Sequence, residues 1–268
     1  MSTDLEWERW GARDPYFGVI THPRFRSDTL TQETKDEFFA SGTSHVAYVL
    51  DMCRLYIDPI FAPQRVLDFG CGVGRVLVPL AKLACDVVGM DVSPSMLAEA
   101  RRNCDEREAR QVTLVLSDDT LSAVAGQFDL VHSSIVLQHI EVERGRALFS
   151  QLTARVKPGG IGALHVTFGW DVFADNFGRP PARPIAPPPP KDALSQARTH
   201  VKRLLDLRGE PPAPAPVEPA GDPEMQMNYY NLSELMFILQ RHGVRRVHTE
   251  FTDHGGAIGV FIFFQRPL

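Results

Sequence analysis

Four aspartates and a glycine-rich segment follow three apolar runs in the middle of the chain. Asp68 precedes the segment Gly70–Gly74, Asp91 follows the second run, and Asp118 and Asp119 follow the third. A glycine-rich turn lets the backbone approach a ligand closely and adopt left-handed angles. Carboxylates in these places can accept hydrogen bonds from ribose hydroxyls and from an adenine amino group. The pattern therefore predicts a nucleoside-binding site.

The spacing of the glycines favours one cofactor class over another. A dinucleotide fingerprint reads GxGxxG, whereas this chain reads GxGxG from Gly70 to Gly74. Asp68, two residues before the first glycine, would repel a pyrophosphate and attract an ammonium or a sulfonium. These features favour S-adenosylmethionine, and they leave a nicotinamide dinucleotide as the weaker alternative.

The elements that must position these residues alternate between strand and helix. We expect short, nearly continuous apolar strands at 65–69, 86–90, 112–116, 128–133 and 161–168, with helical stripes between them. This alternation predicts a parallel sheet with helices on both faces, and such sheets bind ligands at the carboxyl ends of their strands. A late helix and two strands, 244–252 and 259–265, predict an antiparallel edge pair.

The regions on either side of this alternation predict additions to a core domain. Thr31 is expected to cap a helix through Ala40 that Gly42 ends, with a second helix following. Residues 170–228 hold 13 of the 21 prolines and one apolar helical face, Leu194, Ala197, Val201, Leu204 and Leu205. The predicted organisation is an N-terminal helical cap at 1–63, a cofactor-binding core at 64–169, a proline-rich insertion or lid at 170–228, and a C-terminal helix with edge strands at 229–268.

The stretch from Val66 to Phe168 resembles the class I S-adenosylmethionine-dependent methyltransferase family. VLDFGCGVGR is similar to the first motif of that family, and VVGMDVSPSMLAEAR to its second strand and helix. LVLSDD, FDLVHSSIVLQHI, VKPGGIGALHVTF and NYYNLSELMFILQRHGV resemble its later segments in order. The resemblance implies a doubly wound α/β fold with a mostly parallel, Rossmann-like seven-stranded sheet and an antiparallel edge hairpin. It also implies S-adenosyl-L-methionine as cofactor and S-adenosyl-L-homocysteine as product.

The resemblance also implies a set of cofactor contacts. From the amino-acid end of the cofactor to its adenine, they are Asp68, Gly70, Cys71 and Gly72, then Ser134 beneath the sulfonium, Asp91 and Val92 at the ribose, Met96 near the adenosine, and Asp118 and Asp119 at the adenine.

Catalysis of methyl transfer requires alignment of acceptor, methyl group and sulfur, and exclusion of water. A general base is needed only when the acceptor must lose a proton. His139 is the candidate base, with a hydrogen-bonded structural histidine as the alternative; His165 is expected in the core. Tyr16, Tyr229 and Tyr230 are candidates for the acceptor wall, and simple packing is their alternative.

Composition and charge exclude several classes of partner. The net charge is −5 and the pI is near 6.0. The sequence lacks the Lys/Arg-rich run that would predict binding to nucleic acid or to an anionic membrane. No apolar run reaches the ~20 residues of a membrane span, and no signal peptide is recognisable. The four cysteines form no CxxC pair, and Asp171, Asp175 and Asn176 fit no demanding metal pattern, so no metal is expected.

The sequence thus predicts a cytoplasmic methyltransferase acting on an oxygen or nitrogen of a small-molecule acceptor. The alternatives are an enzyme that methylates a protein or glycan, a nicotinamide-dependent oxidoreductase, and a domain that binds the cofactor without transferring its methyl group. The oligomeric state stays open.

Overall fold

The centre of the computed structural model, which describes residues 3–180 and 221–268, is a seven-stranded sheet. Its strands are β1 Arg65–Phe69, β2 Asp86–Asp91, β3 Val112–Leu116, β4 Phe128–Ser133, β5 Val156–Trp170, β6 Arg246–Asp253 and β7 Ala257–Gln265. They lie in the order β3-β2-β1-β4-β5-β7-β6. Strands β1 to β5 pair in parallel, and β7 pairs antiparallel with both β5 and β6. The predicted fold class, including the antiparallel edge hairpin, is confirmed.

The sheet is buried on both faces, which explains the continuous apolar runs of its central strands. One face packs against the N-terminal helices through residues such as Phe38 and Val46. The other face packs against the later helices through residues such as Phe149 and Leu235. The helices are α1 Thr3–Arg13, α2 Pro15–Val19, α3 Gln32–Tyr56, α4 Leu77–Leu80, α5 Pro94–Glu106, α6 Val142–Arg155 and α7 Leu232–Arg241.

Helix α3 corrects the expectation of two helices separated at Gly42. The predicted cap is present, since the side chain of Thr31 accepts a hydrogen bond from the backbone N–H of Thr34. The helix then continues through Gly42 to Tyr56. A Cβ on Gly42 would lie 2.1 Å from the carbonyl oxygen of Arg75. Glycine is therefore required here for close packing against the glycine-rich segment, and not to end a helix.

Two other elements differ from the pattern in the sequence. The helical stripe after β1 forms only a short helix, α4 Leu77–Leu80, and turns follow it. Strand β5 begins at Val156 and not at 161, because the Lys157–Gly160 stretch remains in the strand. The register between β4 and β5 shifts there, between Phe128 and Leu130.

The chain divides into two units, residues 1–179 together with 223–268, and residues 180–222. Most of the second unit, including the apolar face predicted at Leu194 to Leu205, lies outside the described residues. The four predicted segments and their three boundaries stay predictions. None of the helices in the described ranges is long and apolar enough to cross a membrane.

Candidate active site

A cavity of about 960 Å³ lies at the carboxyl end of the parallel strands. Its walls come from the loops after β1, β2 and β4, from helices α1 and α3, and from the β5, β6 and β7 side of the sheet. This volume lies at the upper end of the range for small-ligand sites, roughly 300–1,000 Å³. The position agrees with the sequence prediction, because ligands of open α/β sheets bind outside this edge.

The glycine-rich loop lines the cavity and is held by backbone hydrogen bonds. The N–H groups of Gly70 and Cys71 both donate to the carbonyl of Met90, at 2.8 and 3.0 Å. Gly70 has a φ of 74°, and a Cβ there would lie 2.2 Å from a methyl group of Val136. Gly72 also has a positive φ, 52°. Only glycine satisfies both the conformation and the space at Gly70.

Asp91 ties this loop to the start of helix α5. One carboxylate oxygen accepts from the N–H of Gly72 at 2.8 Å, and the other from the N–H of Ser93 at 2.9 Å. Burial raises the pKa of Asp91 to about 6, and these backbone donors oppose the rise. Asp91 and Val92 line the cavity, and so does Met96 on the buried face of α5. Each oxygen of Asp91 keeps acceptor capacity for a vicinal diol.

Three side chains on three different elements form a hydrogen-bonded row at the next part of the wall. Nδ1 of His132 lies 2.7 Å from Oδ1 of Asp68, and Nε2 of His132 lies 2.9 Å from Nε2 of His45. Asp68 and His132 face each other in the register of β1 and β4. Sequence reasoning missed both histidines. The single basic residue in the apolar run of β4 was the available signal for His132.

The cavity continues along helix α3 towards β6 and β7. Ser41, Ser44, His45 and Tyr48 line it at helical spacing. Opposite them lie His165, Thr252, His254 and Phe261. Burial lowers the pKa of His45 to about 2 and that of His165 to about 3, so both rings are neutral near pH 7. His165, expected in the core, is buried but also lines the cavity, with Nε2 2.8 Å from the Thr252 hydroxyl.

Arg75, directly after the glycine-rich segment, brings a largely buried positive charge to the cavity. Its Nη1 lies 3.4 Å from the hydroxyl of Ser41, and its Nε is fully buried without a hydrogen-bond partner. The charge of Asp68 attracts this guanidinium, but no described carboxylate forms a direct ion pair with it. Because the Nε–H is unpaired and burying a cation is costly, this guanidinium favours an anionic ligand group. Sequence reasoning missed Arg75, although its position after Gly74 was visible.

The two aspartates predicted at the adenine, Asp118 and Asp119, are not among the residues that line the cavity, and their role there stays a prediction. The carboxylate of Asp118 accepts hydrogen bonds from the backbone and hydroxyls of Thr120 and Ser122, and these donors lower its pKa. The carboxylate of Asp119 pairs with Arg144. Ser117, one residue earlier, lines the cavity instead. Ser134, by contrast, lines the cavity, and its place beneath the sulfonium stays a prediction.

The three tyrosines predicted at the acceptor wall also lie elsewhere. The hydroxyl of Tyr16 is hydrogen-bonded to Glu99 and Asn103, and Tyr16 is buried between helices. The remaining two are Tyr230, whose hydroxyl donates to the carbonyls of Leu137 and Ile140, and Tyr229, whose ring meets the edge of Trp170. Packing, which was the alternative to a role in the acceptor wall, accounts for the positions of these three tyrosines. Aromatic wall residues that the cavity does contain are Trp7, Tyr48, Trp170 and Phe261.

His139 also lines the cavity, and its ring centroid lies 4.9 Å from that of Trp7. Its Nδ1 lies 2.8 Å from the carbonyl of Gln226, so Nδ1 carries the proton and donates. Its Nε2 lies 3.4 Å from the side-chain amide of Gln138. Burial lowers the pKa of His139. The ring is neutral, with its lone pair on Nε2.

The fold and the cavity are those of a nucleoside-binding α/β protein. Comparison with known proteins shows which proteins this chain is similar to. Residues 66–160 match the family model described as a methyltransferase domain. The ribosomal protein L11 methyltransferase of Burkholderia thailandensis is 39% identical over 147 residues, which cover 53% of this chain and 45% of that protein. Over residues 66–160 the chain is therefore similar to methyltransferase domains, in agreement with the resemblance carried by its motifs.

Solved structures share the fold over nearly the whole chain. The N-methyltransferase NodS from Bradyrhizobium japonicum, in complex with S-adenosyl-L-homocysteine, is 15% identical with a TM-score of 0.57, covering 100% of both chains. The magnesium protoporphyrin IX methyltransferase from Synechocystis with bound S-adenosylmethionine is 17% identical with a TM-score of 0.56, covering 99% of this chain and 98% of that one. At these identities the likeness is one of fold. The chain spans less than half the length of the curated relatives it matches.

Proposed function

We propose that the chain transfers the methyl group of S-adenosylmethionine to an oxygen or nitrogen of a small-molecule acceptor. One observation carries the proposal. A single cavity contains a carboxylate, Asp91, fixed to the glycine-rich loop, and two opposite charges, Asp68 and Arg75, farther along the wall. These groups complement a nucleoside with a zwitterionic tail, and the cavity extends beyond them.

The residues of this cavity fit the cofactor from end to end. The ribose hydroxyls donate to Asp91 beside Val92, while Met96 and Ser117 border the adenosine. At the other end, the ammonium lies on Asp68, with the carboxylate on Arg75. Gly70, Cys71 and Gly72 supply the backbone next to the amino-acid end, and Ser134 borders the sulfonium.

The bound cofactor supplies an electrophilic methyl group on a positively charged sulfur. The chain itself must hold that methyl group in line with the acceptor and keep water away. The apolar side chains of Trp7, Met225, Met227 and Phe261 line the cavity and exclude water from it. These are binding and positioning roles, and they require no covalent participation by the protein.

A small acceptor is favoured over a macromolecule by the shape of the remaining space. The part of the cavity beyond Asp68 and Arg75 is lined by α3, β5, β6 and β7, including His165, Thr252 and His254. Such a chamber suits one small molecule with few polar groups. A protein acceptor is the second candidate, because a relative 39% identical over its matched region is named for a ribosomal protein.

Calorimetric titration of the full chain tests the cofactor assignment. We expect S-adenosylhomocysteine to bind and NADH to bind much more weakly, because Asp68 repels a pyrophosphate. Arg75→Met should raise the dissociation constant for S-adenosylhomocysteine by about tenfold or more, the scale of a charged hydrogen bond. Ser150→Ala, on the outer helix α6, is the matched control and should leave the constant unchanged. Tight binding of NADH alone contradicts the proposal.

The acceptor chemistry can be surveyed by following release of S-adenosylhomocysteine with simple phenols, alcohols and primary amines. His139 is one candidate for the group that receives the acceptor's proton, because its Nε2 carries a lone pair at the cavity wall. His139→Asn should then lower turnover while leaving cofactor affinity unchanged.

A further inference from the structure

The row Asp68–His132–His45 is a connected set of three ionisable groups on the cavity wall. Asp68 and His132 are 3% and 2% exposed, so their contact is almost fully dry. His45 is half-buried and contributed by helix α3. A dry contact between a carboxylate and an imidazole fixes the ring and its tautomer.

The direction of the hydrogen bonds follows from the acceptor-only chemistry of a carboxylate. Because Oδ1 of Asp68 can only accept, Nδ1 of His132 carries a proton and donates to it. With that one ring proton on Nδ1, Nε2 of His132 has a lone pair and accepts from Nε2–H of His45. The free lone pair of His45 is then on Nδ1, for which the described residues provide no hydrogen-bond partner.

Resting on the proposed function, we propose that His45 takes the proton from the methyl acceptor and passes it to His132, so that the acceptor is an alcohol, a phenol or a protonated amine. The acceptor proton moves to Nδ1 of His45 while the Nε2 proton of His45 moves to Nε2 of His132. With an alcohol or a phenol, an oxygen lone pair forms a bond to the methyl carbon as this proton leaves, the carbon–sulfur bond breaks with its electron pair on sulfur, and the positive charge lost by sulfur is gained by His132, beside Asp68. With a protonated amine the proton leaves first, which frees the nitrogen lone pair for the same bond; the ammonium charge then passes to His132, and the methylated nitrogen takes the charge lost by sulfur.

The proton does not remain on His45 because its surroundings oppose a positive charge there. Its burial and the neighbouring His132, Arg75, His165 and His254 lower the pKa of His45. His132 differs, since the carboxylate of Asp68 lies against its ring and stabilises an imidazolium. The row therefore moves charge from the cavity surface to a buried ion pair.

His139 lacks an equivalent route for a proton. Its Nδ1–H already donates to the carbonyl of Gln226, and its Nε2 faces the amide of Gln138. A proton received by Nε2 would leave a positive charge in a buried ring with no carboxylate in contact. This contrast favours His45 as the catalytic residue and assigns His132 the role of a positioning residue that receives the charge.

The first test measures the tautomers without any acceptor. The full chain with S-adenosylhomocysteine bound is labelled with ¹⁵N at histidine, and long-range ¹H–¹⁵N NMR identifies the protonated ring nitrogens. We expect the Nδ1–H tautomer for His132 and the Nε2–H tautomer for His45, with assignments from His45→Asn and His132→Asn. A proton on Nδ1 of His45 overturns the proposal. Failure to bind S-adenosylhomocysteine would instead contradict the proposed function.

The second test measures turnover with those phenols, alcohols and primary amines that the unmodified enzyme methylates. His45→Asn should lower kcat by about a hundredfold or more, the usual contribution of a general base, with the KM for S-adenosylmethionine unchanged. His242→Asn, at the end of α7 and hydrogen-bonded to Ser150, is the matched histidine control and should keep full activity. Full activity of His45→Asn, or a loss seen only in His139→Asn, overturns the proposal.

Discussion

The affinity for S-adenosylhomocysteine should fall as the pH is lowered through the range in which Asp91 takes up a proton. Burial raises the pKa of this carboxyl to about 6 in the free protein. Ribose hydroxyls donate to the ionised form, so binding favours the deprotonated carboxylate. At pH 7.5 the group is almost fully ionised, whereas at pH 5 about one molecule in eleven is, given a pKa of about 6.

The expected loss of affinity between pH 7.5 and pH 5 is therefore about tenfold, or ~1.4 kcal/mol. Isothermal titration calorimetry at several pH values measures it directly. The sign is fixed because the raised pKa belongs to the free protein, so a proton must leave before the ribose binds. His45 and His165 do not contribute in this range, since their pKa values of about 2 and 3 keep both neutral.

Asp91→Asn is the control that isolates this carboxyl. It should bind S-adenosylhomocysteine about tenfold or more weakly at pH 7.5, since one charged acceptor is lost. Its affinity should then be nearly independent of pH between 5 and 7.5. If the unmodified protein binds equally well at pH 5 and pH 7.5, or if Asp91→Asn keeps the same pH dependence, the ribose does not lie on Asp91.

Two other substitutions test the packing around the cavity. The carboxylate of Glu8 accepts hydrogen bonds from the hydroxyls of Ser93 and Ser95 and thereby attaches helix α1 to the start of α5. Glu8→Gln removes this charged acceptor, so we expect the free energy of unfolding in urea to fall by about 1 kcal/mol. We also expect faster dissociation of S-adenosylhomocysteine in stopped flow. An unchanged dissociation rate would mean that α1 does not restrict the ligand. Gly145→Ala places a Cβ 1.8 Å from the hydroxyl of Tyr230 and should cost about 1–3 kcal/mol of stability, partly restored by adding Tyr230→Phe. Equal stability of Gly145→Ala and the unmodified chain would contradict this packing.

The features predicted correctly from the sequence are those determined by neighbouring residues. The strand Arg65–Phe69, the glycine-rich turn after it and the helix capped by Ser93 follow from hydrophobic runs, glycine and a capping hydroxyl. Because these elements alternate, the parallel sheet and the edge that binds ligands follow as well. The cavity position of Asp91 could be predicted for the same reason.

The features that were missed depend on contacts between distant parts of the chain. His45 and His132 are 87 residues apart and meet only because α3 crosses the end of β4. Gly42 was expected to end a helix because the residue that requires glycine there, Arg75 with its closely packed carbonyl, is distant in sequence and does not appear in the local pattern. The turn that gives Asp118 four hydrogen-bond donors was not expected either, while the adenine role of Asp118 stays a prediction.

The contact between Gly42 and Arg75 links the two halves of the cavity mechanically. Helix α3 packs against Arg75, next to the glycine-rich loop, at Gly42 and carries His45 three residues later. Because both residues belong to one helix, that helix sets the distance between the cofactor loop and the proton-accepting ring of His45. Changes at Ser44 or Tyr48 can reshape the acceptor chamber without altering that distance. We therefore expect the range of acceptors in related proteins to vary with the residues on the cavity-facing side of α3, while position 42 stays glycine.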